Sequence, residues 1–251
     1  MTGSSQSTFR VATYNIHKGV QGIGPARRLE IHNLGHAVEQ LDADIVCLQE
    51  VRKMNRQAAA RFAQWPALPQ ADFLAPEGYT AVYETNAVTR HGEHGNALLT
   101  RWPVLRQGHE DISDHRFEQR GLLHVVIDVD GRPVHAIVVH LGLIKGSRIR
   151  QIARLREFIE REIPPDEAVV VAGDFNDWGA RMRMPMNAMG LRDLQGGRRT
   201  LTYPSRLPVA QLDFIYGRHL EPVECAVPRG PIWSRMSDHL PLVTDFLLMG
   251  S

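Results

Sequence analysis

The sequence predicts a single α/β domain in which two β-sheets pack together with helices on the outside. Short β-type runs outnumber the helical patterns, and the few helical patterns are well formed and amphipathic. No linker, low-complexity tract or internal sequence repeat offers a place to divide the 251 residues, a length that one α/β domain commonly reaches. The expected organisation is a disordered tail over 1–8 and one domain over 9–249.

Phe9 to Tyr14 alternates as a strand that ends at Asn15. Leu29, Leu34, Val38 and Leu41 then recur at helical intervals between the turn-rich Gly22 to Pro25 and Asp42. Asp44 to Leu48 reads as a buried strand leading into Gln49 and Glu50, and a helix is expected over Val51 to Phe62. Tyr79 to Tyr83, Asn96 to Leu99, Leu122 to Asp128 and Pro133 to Val139 are short β-type runs. Asp130-Gly131 between the last two is a hairpin turn signal, because glycine supplies the positive φ that tight hairpins need. Ile149, Ile152, Leu155, Phe158 and Ile159 mark an amphipathic helix that stops at Pro164-Pro165. Val169 to Ala172, Leu212 to Tyr216 and Val243 to Leu248 are the remaining strands.

Composition excludes more than it assigns. A net charge of +1 gives no global basic field for nucleic acid or membrane. Twenty-six of the 29 basic residues are arginine, a bias that suits phosphate contacts and also follows from genome base composition. Two cysteines are too few for a disulfide framework, and Cys47 within Ile45 to Leu48 reads as a small buried hydrophobe. The start lacks a secretory pattern, and no apolar stretch approaches the roughly 18 residues of a membrane span. The expected location is the cytoplasm, or the membrane periphery. There is no HExxH, no cysteine pair at zinc spacing, no glycine-rich phosphate loop and no GxSxG elbow.

Polar residues able to bind metal or phosphate stand at the ends of several apolar strands. Asn15 and His17 follow the first, Glu50 the second, His140 the run Ala136 to Val139, and Asp174 with Asn176 the run Val169 to Gly173. Asp213 lies within its strand, and Asp238-His239 precedes Leu240-Pro241-Leu242. Strand ends converge at one edge of a sheet, a rigid place for a site. Taken singly, each has an ordinary reading: Asp174 as a turn or cap residue, Glu50 as a solvated carboxylate, His140 as a satisfied sheet-end histidine, Asp238-His239 as an N-cap pair.

Taken in order, the stretches ATYNIHKG (12–19), DIVCLQEV (44–51), HGNALLTRWPV (94–104), VVHLG (138–142), VAGDFND (171–177), LDFIY (212–216) and SDHLPL (237–242) resemble the motifs of the endonuclease/exonuclease/phosphatase superfamily. That superfamily includes deoxyribonuclease I, abasic-site endonucleases, inositol polyphosphate 5-phosphatases and neutral sphingomyelinases. The resemblance runs from residue 12 to 242, and it looks closest to small stand-alone bacterial members, some linked with phospholipid metabolism. It implies a four-layer α-β-β-α sandwich of two mostly antiparallel sheets, as in deoxyribonuclease I. It also implies hydrolysis of a phosphate ester with Mg2+, for which Mn2+ could substitute.

The resemblance carries roles with it. Glu50 resembles the main metal-binding carboxylate, Asn15 the neighbouring amide and Asp238 the second carboxylate at the metal. Asp174 resembles the group that orients or deprotonates the attacking water, and Asn176 a donor to the phosphoryl oxygen. His239 resembles the phosphate-contacting histidine whose ring Asp213 holds. His140 is the second histidine, a phosphate ligand or general acid. His17, Asn96 and Arg120 are expected to line the same cavity, although Arg120 reads equally as a surface arginine.

Residues 177–211 carry six arginines against two aspartates, a local charge of +4, together with Met182, Met184, Met186 and Met189. The segment reads either as a helix with a methionine core face followed by a solvated loop, or as a basic lip for a nucleic-acid backbone or an anionic lipid headgroup. Three functions follow: a phosphodiesterase or phosphatase acting on a phospholipid headgroup or small phosphate ester, a Mg2+-dependent nuclease, or a catalytically silent module that binds a phosphorylated ligand. No obligate protein partner is implied.

Overall fold

A computed structural model describes residues 8–193 and 200–249. In chain order the first elements are β1 (Thr8–Asn15), β2 (Val20–Gln21), β3 (Arg28–Leu29), α1 (Ile31–Leu41), β4 (Ile45–Val51), α2 (Arg56–Arg61) and α3 (Gln70–Leu74). The middle comprises β5 (Thr80–Thr89), β6 (Gly92–Thr100), β7 (Val104–Asp111), β8 (Gly121–Val129), β9 (Arg132–His140) and α4 (Lys145–Glu162). The last are β10 (Ala168–Asp174), α5 (Arg183–Ala188), β11 (Arg192–Asp193), β12 (Asp213–Arg218), β13 (Leu220–Ala226), α6 (Trp233–Met236) and β14 (Leu242–Leu248).

These build two six-stranded sheets, ordered β13-β14-β1-β4-β6-β5 and β11-β12-β10-β9-β8-β7. The pairs β1/β4 and β9/β10 are parallel, and the other strand pairs among the described residues are antiparallel. Each parallel pair is joined by a crossover containing a long helix, α1 or α4, as a parallel connection requires.

Side-chain alternation separates three apolar layers. Val11, Ile45, Cys47, Val125, Ala136, Val138, Val170, Ala172 and Ile215 point into the space between the sheets. Ala12, Tyr14, Val46 and Leu48 face α1 on one outside, and Ile137, Val139, Val169, Val171, Phe214 and Tyr216 face α4 on the other. Central strands are therefore buried on both faces, which is why Val169 to Ala172 reads as an unbroken apolar run. The architecture is the four-layer α-β-β-α sandwich of the sequence expectation.

Several details differ from it. The helix expected over Val51 to Phe62 is a strand end, a loop and one short helix. Val51 pairs with Gly95 of β6, and the Arg52 amide donates to Gln70 Oε1 at 2.8 Å. Helix α2 begins only after Asn55, whose Oδ1 caps it by accepting from Ala58 N at 2.8 Å. Leu29 belongs to β3 rather than to the helix that follows. Strands β7 and β13 were not expected. Both are sheet edges with largely exposed residues, so their sequences carry no apolar alternation. The hairpin at Asp130-Gly131 has φ of 52° and 79° at its two turn residues, the positive values that a primed turn needs. The tail expectation falls outside the described residues except for Thr8, which opens β1.

Within the outer layer under α4, His124 and His135 stack, with Nε2 of the first 2.9 Å from Nδ1 of the second. His135 Nε2 in turn meets Glu167 Oε2, and Phe158 covers His124 edge-on. Burial pushes His124 down to about 4. The unfolded chain then takes up a proton near pH 6.5, before the folded chain does, so this site withdraws stability as pH falls from about 6.5 to about 4, on the order of 2–3 kcal/mol in all. Urea midpoints measured across that interval are expected to fall with acid, and to fall less steeply in His124→Phe. Parallel slopes in the two proteins would contradict the assignment.

Candidate active site

The carboxyl ends of both parallel pairs meet at one end of the sandwich. In one sheet Asn15 pairs with Gln49, one residue before Glu50; in the other Asp174 sits directly between His140 on β9 and Asp213 on β12. Alternation explains the direction of four of these side chains. Asn15, His140, Asp174 and Asp213 continue the inward parity of Val11, Val138, Ala172 and Ile215, so each extends into the space between the sheets where the apolar layer ends.

Glu50 does not follow that rule. Its parity is that of Val46 and Leu48, which face α1. The β4/β6 register shifts between Leu48 and Val51, and Glu50 takes φ 58°, so a bulge re-aims its carboxylate. His17, Lys18 and Asn176, with φ of 46°, 62° and 48°, share this left-handed conformation. Non-glycine residues pay roughly 1–3 kcal/mol for such geometry, and proteins retain it chiefly where function needs a side chain aimed.

Asp174 Oδ2 is the hub. It accepts from Asn15 Nδ2 at 3.1 Å and lies 3.6 Å from both His140 Nε2 and His239 Nε2, while Asp174 Oδ1 accepts from Asn176 N at 2.9 Å. His239 Nδ1 sits 2.9 Å from Asp213 Oδ2, which also accepts from Thr202 Oγ1 at 2.5 Å. Burial alone would depress the His239 ring, but the carboxylates of Asp213 and then Asp174 outweigh it and raise the ring to about 10. His140 has the opposite fate: burial, helped by the nearby Arg120 cation, lowers it to about 4. The two imidazoles beside one carboxylate thus carry different charges, His239 positive and His140 neutral. Burial raises the Asp174 carboxyl itself.

On the other side, Glu50 Oε2 is 2.7 Å from Lys18 Nζ, and Asp238 Oδ1 is 3.2 Å from His17 Nδ1. Burial pushes the Glu50 carboxyl up, yet the Lys18 ammonium and the neighbouring histidines hold it well below the ordinary carboxylate range. Burial pushes the Asp238 carboxyl up, but the His17 hydrogen bond and the His239 and His17 charges outweigh it and hold it below its ordinary value, against a small opposing push from Glu50 that places the two carboxylates in one another's field. Two carboxylates and the Asn15 amide form a hard oxygen set that suits a small divalent cation. Asp174, Asp213 and His239 also bring ligand atoms within 4.8 Å of one another. That buried trio could hold a metal ion as well as form a hydrogen-bonded relay.

The remaining expected residues are placed as follows. Asn176 Nδ2 donates to Leu141 O at 2.9 Å, which leaves one N–H of that amide free for a ligand. Asn96 is fully buried and its Nδ2 binds Gly121 O and Val138 O, so it ties β6 to the opposite sheet and has only Oδ1 to offer. Arg120 pairs with Glu118 through Nη2 at 3.1 Å and acts on His140 through its field. Of the +4 segment, Met182 and Met186 are buried in the layer under α4, Met184 is exposed, and Arg183 pairs with Asp193. Arg198 and Arg199 lie outside the described residues.

Sequence reasoning missed Lys18, Thr202, Ser237 and Tyr203. Ser237 Oγ donates to Asn15 O at 2.6 Å and so fixes the loop before His239 against β1. The Tyr203 ring packs on His239 at 4.9 Å. Lys18 and Ser237 had a usable signal, since they lie inside the first and last motifs and Lys18 is one of three lysines in an arginine-rich chain.

Gly173 allows β9 and β10 to close. A Cβ there would stand 1.9 Å from Val139 O, a backbone atom that cannot step aside without parting the strands that hold His140 and Asp174. Gly173→Ala is expected to cost about 3 kcal/mol, read as a lower urea midpoint; an unchanged midpoint would overturn this account of the glycine.

The endonuclease/exonuclease/phosphatase family description matches residues 12–239. The chain belongs to that family. Family members act on phosphoester bonds and generally use divalent metals. The uncharacterized protein YbhP of Escherichia coli (strain K12) is 36% identical over 252 residues, covering 98% of each chain. Among solved structures, an endonuclease/exonuclease/phosphatase from Bacteroides vulgatus superposes with TM-score 0.75 at 19% identity, covering 97% of this chain and 100% of that one. A mannosyl-6-phosphatase from Bacteroides thetaiotaomicron gives TM-score 0.74 at 17% identity, covering 95% and 99%. At such identities the two structures speak for the fold, and the substrate has to be argued from the site.

Proposed function

We propose that this family member is a metal-dependent phosphoesterase that cleaves a phosphate ester by in-line attack of water. The observation that carries the reading is the position of Asp174 Oδ2, 3.1 Å from the Asn15 amide and 3.6 Å from each of two imidazoles. Asn15, Glu50 and Asp238 would hold Mg2+, or Mn2+ in its place. Bound there, the ion would neutralise phosphate charge and stabilise the leaving oxygen.

The protein's own groups divide the remaining work. Asp174 orients the attacking water and takes its proton, a task helped by a carboxyl that burial has raised. His239 donates its Nδ1 proton to Asp213, leaving its Nε2–H for a nonbridging phosphate oxygen. Asn176 adds its remaining amide N–H. His140, neutral and beside Arg120, serves as a phosphate hydrogen-bond partner; with its ring lowered to about 4, it holds no spare proton for a leaving group at neutral pH.

The test is turnover of bis-p-nitrophenyl phosphate, plasmid and abasic DNA, RNA, phosphatidylglycerol and cardiolipin with Mg2+, Mn2+ or EDTA. Activity abolished by EDTA is expected. Metal-independent turnover would refute the mechanism, and no turnover of any substrate would favour the silent binding module. The nuclease reading draws on the +4 charge of residues 177–211, and it predicts binding that weakens steeply with salt as counterions are released.

A further inference from the structure

Around this site, large apolar side chains project from loops that are fastened to the catalytic groups. Phe117, Leu143, Ile144, Trp178, Leu207 and Val209 are between 57% and 82% exposed. Leu143 and Ile144 follow His140 within four residues, and their loop is pinned where Leu143 N donates to Glu118 Oε1 at 3.0 Å. Glu118 belongs to the loop that presents Phe117, and Arg120 Nη2 binds the same carboxylate oxygen. Asn176 Nδ2 holds Leu141 O, which joins the Leu143 loop to the one carrying Trp178. Trp178 stands edge-on to Tyr203 at 5.7 Å, and Tyr203 packs on His239. Val209 N donates to Tyr203 O at 2.9 Å, so the Leu207–Val209 tip springs from the same aromatic support. Trp178, Leu201 and Val209 line a cleft of about 470 Å³ on this side.

A cation stands next to three of these six tips in the chain. Arg116 precedes Phe117 and lies over its ring at 4.7 Å, Lys145 follows Ile144, and Arg206 precedes Leu207. All three are exposed, and among the described residues none has an acidic partner. Apolar tips with adjacent cations match a surface that offers hydrocarbon beneath a layer of anionic phosphates. Four of the six tips are aliphatic, which suits lipid chains better than the faces of nucleobases, whose stacking calls for aromatic partners.

We infer that this rim docks the protein on anionic phospholipid membranes, and that the phosphate ester presented to the site is that of a lipid headgroup. The substrate class rests on the phosphoesterase reading above; the docking does not.

The test separates the two. The intact chain, in EDTA, is sedimented with vesicles of phosphatidylglycerol and phosphatidylcholine in equal parts, and with phosphatidylcholine alone. Partition onto the anionic vesicles is expected to be at least about tenfold stronger, and to weaken with salt. The triple change Phe117→Ser, Leu143→Ser and Ile144→Ser is expected to lower it about tenfold or more, while metal-supported hydrolysis of soluble bis-p-nitrophenyl phosphate stays unchanged. Arg116→Ser with Lys145→Ser and Arg206→Ser is a second variant, on exposed positions, expected to erase the preference for anionic vesicles. Failure of the native chain to bind anionic vesicles, or undiminished binding by both variants, overturns the docking. Loss of hydrolysis in the native protein would instead overturn the phosphoesterase reading and leave the vesicle result to be judged separately.

Discussion

Replacing His239 with alanine is expected to lower phosphoester turnover by two to three orders of magnitude, about 3–4 kcal/mol of transition-state stabilisation. The size of the effect comes from charge. The ring is buried yet raised to about 10, because Asp213 and Asp174 face its two nitrogens, so under the proposed mechanism it would meet the phosphate as a fixed cation that needs no solvent to reorganise. Asp213→Asn provides the sharper test. It keeps the shape but removes the chief favourable neighbour, so the ring should titrate well below its native value. Turnover in that variant should fall at alkaline pH where the native protein is expected to hold its rate, and the two pH profiles measure it. The same pair contributes to stability. A ring raised above its unfolded value of about 6.5 supports the fold fully below that pH and loses its contribution as pH climbs towards about 10. Superimposable pH profiles for native and Asp213→Asn proteins would remove Asp213 from its role.

Glu50→Gln is expected to reduce turnover at least a hundredfold and to weaken Mn2+ binding in direct titration. The substitution preserves volume and the left-handed backbone at φ 58°, so it isolates the charge. Lys18 gives the complementary prediction. Its ammonium stands 2.7 Å from Glu50 Oε2, where it would compete with the proposed cation for the same oxygen. Lys18→Met should therefore tighten Mn2+ binding several-fold, the reverse of Glu50→Gln. Unaltered metal affinity in both variants would move the cation site away from Glu50.

Much of this site could be read from the residues before any fold was known. Asn15, His140, Asp174 and Asp213 each lie at the end of a strand whose alternation sets their direction, and alternation is a local property visible in the sequence. The edge strands β7 and β13 were invisible for the same reason: with water on one side and little apolar burden they carry no period. The helix expected over Val51 to Phe62 failed because pairing with β6 keeps Val51 in the sheet, a contact that its neighbours in sequence do not announce.

The sequence by itself determined the layers and the strand-end positions of Asn15, His140 and Asp174, since these follow from short-range periodicity and turn chemistry, while the resemblance of the ordered motifs to a family singled out the candidate site residues. Tertiary structure alone decided that Glu50 turns from the face its parity assigns, that Lys18 pairs with it, that His239 is charged while His140 is not, and that exposed apolar tips gather on the loops around them. These depend on which groups meet across separations such as the 159 residues between Asn15 and Asp174. Charge state and aim are set by the field and packing of such distant neighbours, which no local pattern encodes.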